Sequence, residues 1–167
     1  MRLLSVLILL SLVVGCAPPK QRKMLTSSYC ACRSCCSWSR GFPDFWNRYY
    51  VAGADKGSRY TGLTANGTKP REPYDGLLSV DTLTHPWKIP HRIVFPWLWF
   101  SHDGSIAADT KFYPFGTRMF VPGYGWGRVE DRGSAIKGID RIDLFKASHR
   151  EALVWGKKKV LVTIEKP

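Results

Sequence analysis

The sequence predicts a mainly β, barrel-like domain with one short helix and a cysteine-rich N-terminal extension. Three observations carry this. Short runs of apolar residues recur from Gly104 to the end of the chain, glycine-rich or proline-bearing turns separate them, and a single segment has helix-capping signals. At 167 residues the chain suffices for one domain of ordinary size plus an N-terminal addition, and no internal repeat suggests a solenoid.

The chain begins with a short basic start, Met1-Arg2, followed by an apolar run from Leu3 to Val14 and then Gly15-Cys16. That plan reads as a signal peptide over residues 1–15, too short to span a bilayer. Its ending resembles a lipobox, which makes Cys16 the expected lipidation site and mature N-terminus. Several acyl chains there would anchor the protein firmly, since a single chain binds only marginally. Ala17 after the cysteine resembles the sorting signal for an outer membrane, with the domain facing the periplasm. Residues 16–28 lack periodicity and read as a tether.

Four cysteines follow in YCACRSCC: Cys30, Cys32, Cys35 and Cys36. In an exported protein, disulfides are the first expectation. A vicinal Cys35–Cys36 bridge would be strained, leaving Cys30 and Cys32 to pair with those two in either order. The competing reading is four thiolates around a tetrahedral ion, a structural zinc. No catalytic cofactor is expected, and no histidine stands near these cysteines in sequence.

The stretch 42–60 is rich in aromatics and turns and gives no firm element. Gly62 to Thr68 is small and polar, as where backbone approaches a ligand, and Thr64 is a candidate substrate contact; a plain turn is the alternative reading. Residues 69–103 form a Pro- and Trp-rich insertion in the domain spanning 29–167. Pro96 forbids a central strand or an uninterrupted helix there. Trp97 and Trp99 would share one face if extended, as a wall on which sugar rings stack, but packing against the domain is the expected fate.

Strands are expected at Ile106–Asp109, Arg118–Pro122, around Arg128–Glu130, at Arg141–Phe145 and at Lys159–Ile164. Ser148 and Glu151 have capping-box spacing, Ala152, Leu153 and Trp155 supply an apolar helix face, and Gly156 is a natural stop.

The balance of 25 Lys+Arg against 13 Asp+Glu gives a net charge of +12, a field that attracts polyanions. Nucleic acid is the usual cytosolic partner, but an exported chain meets instead the carboxylate-bearing cell wall. Within this cationic chain, Asp109, Asp131 and Asp143 each end or punctuate a predicted strand, where a side chain leaves the core for a cleft. In RIDLF, Ile142 and Leu144 point to the core while Asp143 points outward with Arg141 and Phe145. A carboxyl beside an aromatic ring and other carboxylates should have a raised pKa, as a general acid requires; pairing with Arg141 is the alternative.

The pieces IAADTKFYPFGTRMFVPGYG, VEDRGSAIKG, RIDLF and EALVWG followed by a strand, covering residues 104–164, resemble the three-aspartate (3D) domain. That domain is related to the catalytic domain of the membrane-bound lytic transglycosylase A family, and YCACRSCC and LTANGT resemble upstream segments of its exported members. The resemblance implies a six-stranded double-psi β-barrel that cleaves the MurNAc–GlcNAc bond of peptidoglycan and leaves a 1,6-anhydro-MurNAc end. It makes Asp143 the catalytic acid and base and Asp131 its supporting carboxylate. Asp109 would contact substrate or brace the loops, and Arg132 and Lys137 would meet substrate carboxylates. Many members have one residue fewer before the last aspartate, where this chain has Ile139-Asp140. A monomer is expected. The alternatives are a cationic lipoprotein that binds peptidoglycan without cutting it, and a hydrolase using Asp131 and Asp143 as a pair.

Overall fold

The computed structural model describes residues 19–40, 49–51 and 59–165. The leader and Cys16 therefore lie outside the described residues, as does most of the aromatic stretch 42–60. Among the described residues no helix is long and apolar enough to cross a membrane.

Six strands close a barrel: β1 (Lys20–Tyr29), β4 (Gly104–Ala108), β5 (Arg118–Val121), β6 (Gly125–Asp131), β7 (Arg141–Phe145) and β8 (Lys158–Glu165). Around the barrel they run in the order β1-β7-β4-β6-β5-β8. Two pairs are parallel, β1 with β7 and β4 with β6, and the other four are antiparallel. A separate two-stranded sheet joins β2 (Trp38–Arg40) to β3 (Tyr49–Val51). The closed six-stranded barrel matches the expected architecture.

The barrel is filled by alternate residues of every strand. Met24, Ile106, Met119, Val121, Val129, Ile142, Leu144 and Val162 are completely buried and form one cluster. Closure needs close backbone approach at Gly127, where a Cβ would come within 2.5 Å of Ile106 Cδ1, and at Gly104, where it would meet Pro73 and the Tyr124 hydroxyl at 2.5 Å.

One expectation is overturned. Residues 20–28 are not a tether but most of β1, the strand that closes the barrel between β7 and β8. The segment KQRKMLTSSY hides its strand character because only Met24 and two small hydroxyl residues, Thr26 and Ser27, are buried. The Thr26 hydroxyl is satisfied by donating to the Lys158 carbonyl at 3.0 Å.

Among the described residues four short α-helices accompany the strands: α1 (Arg33–Cys36), α2 (Val80–Thr84), α3 (Ile89–Val94) and α4 (His149–Trp155). Only α4 belongs to the segment 104–165. Ser148 caps it by accepting from the Glu151 N–H at 3.2 Å, and it stops at Gly156, whose φ is 62°. Ala152 is buried and Trp155 donates its indole N–H to Thr26 Oγ1, so these two residues, three apart, form the barrel-facing side. Leu153 falls off that side and is 69% exposed.

The insertion leaves the barrel and returns beside its exit, since Tyr74 and His102 pair as a β-bridge and Ser105 N–H donates to the Arg71 carbonyl. Inside it, Asp81 gathers Lys88, Arg92 and His85. Pro96 ends α3 and opens a 3-10 turn, so Trp97 and Trp99 do not alternate on an extended strand. The expected packing of Trp97 is not found: it is 70% exposed, and Trp99, 46% exposed, is fixed by donating to the Arg92 carbonyl.

Candidate functional site

The strand register places the acidic residues. Asp143 on β7 sits opposite Ala107 on β4, and a bulge between Ile106 and Ala107 brings Asp131, rather than Glu130, opposite Ala107 on its other side. On the far side of β7, Ser27 of β1 is the register partner of Asp143. Four neighbouring strands thus align Ser27, Asp143, Ala107 and Asp131 in one row. With adjacent strands about 4.8 Å apart, the two acidic residues stand roughly 10 Å apart at their backbones, with only the Ala107 methyl between them. Because Ile142 and Leu144 fill the barrel, this row lies on its outer wall.

Asp131 receives three hydrogen bonds. The Tyr29 hydroxyl donates to Oδ2 at 2.9 Å, and the Ala65 and Arg132 N–H groups donate to Oδ1 at 3.0 and 2.8 Å. Burial pushes the Tyr29 phenol far above its usual pKa, helped by the charge of Asp131, so the hydroxyl stays a donor. Tyr29 also packs edge-on against Phe145 at 5.6 Å, which closes the row from one side.

Asp143 differs. Burial raises its pKa above the ordinary carboxylate value and Asp131 adds to the rise, against a hydrogen bond with Ser27 and the charge of Arg141. Its Oδ1 is buried and has no hydrogen-bond partner among the described residues; the same holds for Arg141 Nε. Arg141 thus acts on Asp143 through its charge.

Asp109 has a bracing geometry. Its Oδ1 accepts from Lys111 N–H at 3.1 Å and its Oδ2 from Gly138 N–H at 2.9 Å. These bonds, aided by the charges of Lys137 and Lys111, hold its pKa below the usual value. They tie the end of β4 to the loop 133–138, which carries exposed Lys137. Asp140 pairs with Arg22 of β1 at 2.8 Å, while the Tyr113 hydroxyl donates to the Ile139 carbonyl at 2.7 Å.

Thr64 is buried in a turn, its hydroxyl 2.8 Å from that of Thr68. What this loop presents to the acidic row is the Ala65 N–H. Exposed Arg132 adjoins Asp131 through its backbone. A cleft of about 500 Å³ lined by Arg22, Tyr113, Phe112 and Ile139 opens elsewhere and does not include Asp131 or Asp143 among its lining residues.

The four cysteines are free thiols. Cys30, Cys32, Cys35 and His149 bring three sulfurs and one ring nitrogen within 4.8 Å of one another, close enough to hold a metal ion. Cys36 stands apart from this set and donates its thiol to the Cys30 carbonyl at 3.2 Å. The first expectation, disulfides among these four, is therefore not met, and the competing set of four thiolates is changed at one position, with His149 in place of Cys36. His149 was hidden because it lies 119 residues from Cys30 and reads only as a capping-box residue. Tyr29 and Ser27 were hidden with β1.

Residues 104–165 match the 3D domain family. Two Bacillus subtilis (strain 168) proteins are similar to part of the chain. "Cell wall-binding protein YocH" is 42% identical over 59 residues, 35% of this chain and 20% of that protein. "Putative cell wall shaping protein YabE" is 42% identical over 59 residues, again 35% of this chain and 14% of its own length. The similarity thus spans a fifth or less of either relative. The strands β4 to β8 and all three aspartates fall inside the segment that matches the 3D domain family.

Proposed function

We propose that this protein acts on peptidoglycan as a lytic transglycosylase, with Asp143 as its single acid and base. The observation that carries the reading is Asp143 itself: a carboxyl lifted by burial, with one oxygen free of partners, in register with a second, firmly held aspartate. Ordinary glycosidases need two carboxylates, one as the acid and one as nucleophile or base for water. A transglycosylase needs one, because the substrate's own 6-hydroxyl is the nucleophile. Asp143 gives its proton to the glycosidic oxygen as the bond from that oxygen to C1 of MurNAc breaks. The resulting carboxylate takes the proton of the 6-hydroxyl as O6 bonds to C1, which closes the anhydro ring and restores the acid.

Asp131, held in place by Tyr29 and two backbone N–H groups, adds its charge to the burial that raises the Asp143 pKa. Arg132 and Lys137, both exposed, meet carboxylates of the stem peptides, and Asp109 braces the loop that carries Lys137. A cell-envelope location, with a lipid on Cys16 holding the domain to a membrane, follows from the leader pattern and accords with the cell-wall names of the two relatives.

The test is digestion of purified sacculi by the full chain in mild detergent, followed by mass spectrometry of the soluble fragments. Wild type should release anhydro-muropeptides and Asp143→Asn should not; equal behaviour of the two removes the claim. One observation favours a second reading, a wall-binding protein without catalysis: a relative is named as cell wall-binding, and the +12 charge suits it. That reading requires sacculus binding that survives Asp143→Asn and weakens with salt, with no fragments released.

A further inference from the structure

The end of β1 and the start of α4 meet at Cys30, Cys32, Cys35 and His149. We propose that these four residues bind one zinc ion, which clamps the cysteine loop to α4 and fixes the strand end that carries Tyr29.

Four of the six ligand–ligand distances match a tetrahedral site, and the other two lie within 4.8 Å. With Zn–S bonds of about 2.3 Å and a Zn–N bond of about 2.0–2.1 Å, tetrahedral angles put sulfurs about 3.8 Å apart and sulfur about 3.6 Å from nitrogen. Cys30 Sγ and Cys35 Sγ are 3.7 Å apart, and His149 Nδ1 lies 3.8, 3.4 and 3.5 Å from the sulfurs of Cys30, Cys32 and Cys35. A disulfide does not account for this set. A bonded pair of sulfurs stands about 2.05 Å apart and has no use for a ring nitrogen facing three sulfurs, and three thiols leave one unpaired. Cys36, the residue that would make the count even, is turned to the Cys30 carbonyl. Three soft thiolates with one imidazole are a ligand set for zinc rather than for a hard, oxygen-seeking cation, and all four positions are filled by protein, which marks a structural ion.

The clamp has a mechanical consequence. Lys146 N–H donates to the Tyr29 carbonyl at 2.8 Å, the β1–β7 ladder ends there, and the two arms that leave this fork carry Cys30 and His149. Chain entropy would let the segments fray there; an ion gripping both closes the fork. Tyr29, next to the fork, holds Asp131.

The full chain, purified without chelator and freed of loose metal, should contain about one zinc per chain by elemental analysis. His149→Ala and Cys32→Ser should lose that zinc, whereas Cys36→Ser should keep it. His149→Cys, which supplies the fourth ligand as a thiolate, should regain it even if His149→Ala folds poorly. Cobalt substituted into wild type should show the strong visible absorption of a tetrahedral thiolate site. The proposal is overturned if folded wild type carries no zinc and four titratable thiols, if it contains a Cys30–Cys35 disulfide, or if Cys36→Ser loses the metal while His149→Ala keeps it. None of these readings depends on cleavage of the cell wall.

Discussion

Tyr29 and Asp131 are joined by a 2.9 Å hydrogen bond that spans 102 residues of sequence, from the end of β1 to the end of β6. It ties the strand that closes the barrel to the carboxylate that acts on Asp143. A hydrogen bond to a charged group contributes about 1.5–3 kcal/mol, and its loss leaves the acceptor short of a partner. Tyr29→Phe should therefore lower stability by about that amount in urea unfolding. It should also reduce fragment release from sacculi, because Asp131 is left with only its two backbone donors.

Asp143 sets a pH dependence whose sign is fixed. Its folded pKa lies above the unfolded value, so the native state holds its proton more tightly than the unfolded chain does. The stability this confers is fully present below the unfolded carboxyl value and is lost as pH rises through the raised folded value. Asp143→Asn, neutral in both states, should remove that loss, so its unfolding midpoint relative to wild type should rise from acid to neutral pH. Cleavage by wild type should fall over the same interval as the acid loses its proton.

Asp109 has the opposite sign. Its folded pKa is lowered by backbone N–H donors, so its contribution is present above the unfolded value and fades as pH falls through the folded one. Asp109→Asn should speed amide exchange at Lys111 and Gly138, the two donors, while reducing cleavage much less than Asp143→Asn does.

Gly104 opens β4, the first strand of the matched segment, with no space for a side chain, because a Cβ would lie 2.5–2.7 Å from Pro73 and the Tyr124 hydroxyl. Gly104→Ala should cost at least about 1–3 kcal/mol by overpacking, read as a lower thermal midpoint. Gly67→Ala meets no neighbour but must adopt φ 80°, so its cost arises from backbone strain alone.

Legibility followed local pattern. Strands β4 to β8 repeat short apolar runs between glycine and proline punctuation, and the alternation around Asp143 correctly separated Ile142 and Leu144 from the outward carboxyl. Strand β1 was illegible because its charged and hydroxyl side chains mimic a linker; its neighbours β7 and β8, far along the chain, make it a strand. The alignment of Asp143 with Asp131 depends on a bulge in β6, where Glu130 is the extra residue against β4, and no local signal announces it. His149 presented a helix start, and only folding brings its ring to cysteines more than a hundred residues earlier. In the insertion, Pro96 correctly forbade a central strand or an uninterrupted helix, but the exposure of Trp97 depends on how the segment folds around Asp81, not on residue type.

The central claim is that Asp143 cuts glycan strands by using the substrate's own hydroxyl, without water. Digesting sacculi with the full chain in heavy-oxygen water and weighing the released muropeptides tests this most directly. The account predicts anhydro-MurNAc ends carrying no heavy oxygen, abolished in Asp143→Asn. Reducing ends that contain heavy oxygen, or no released fragments from wild type at all, would contradict it.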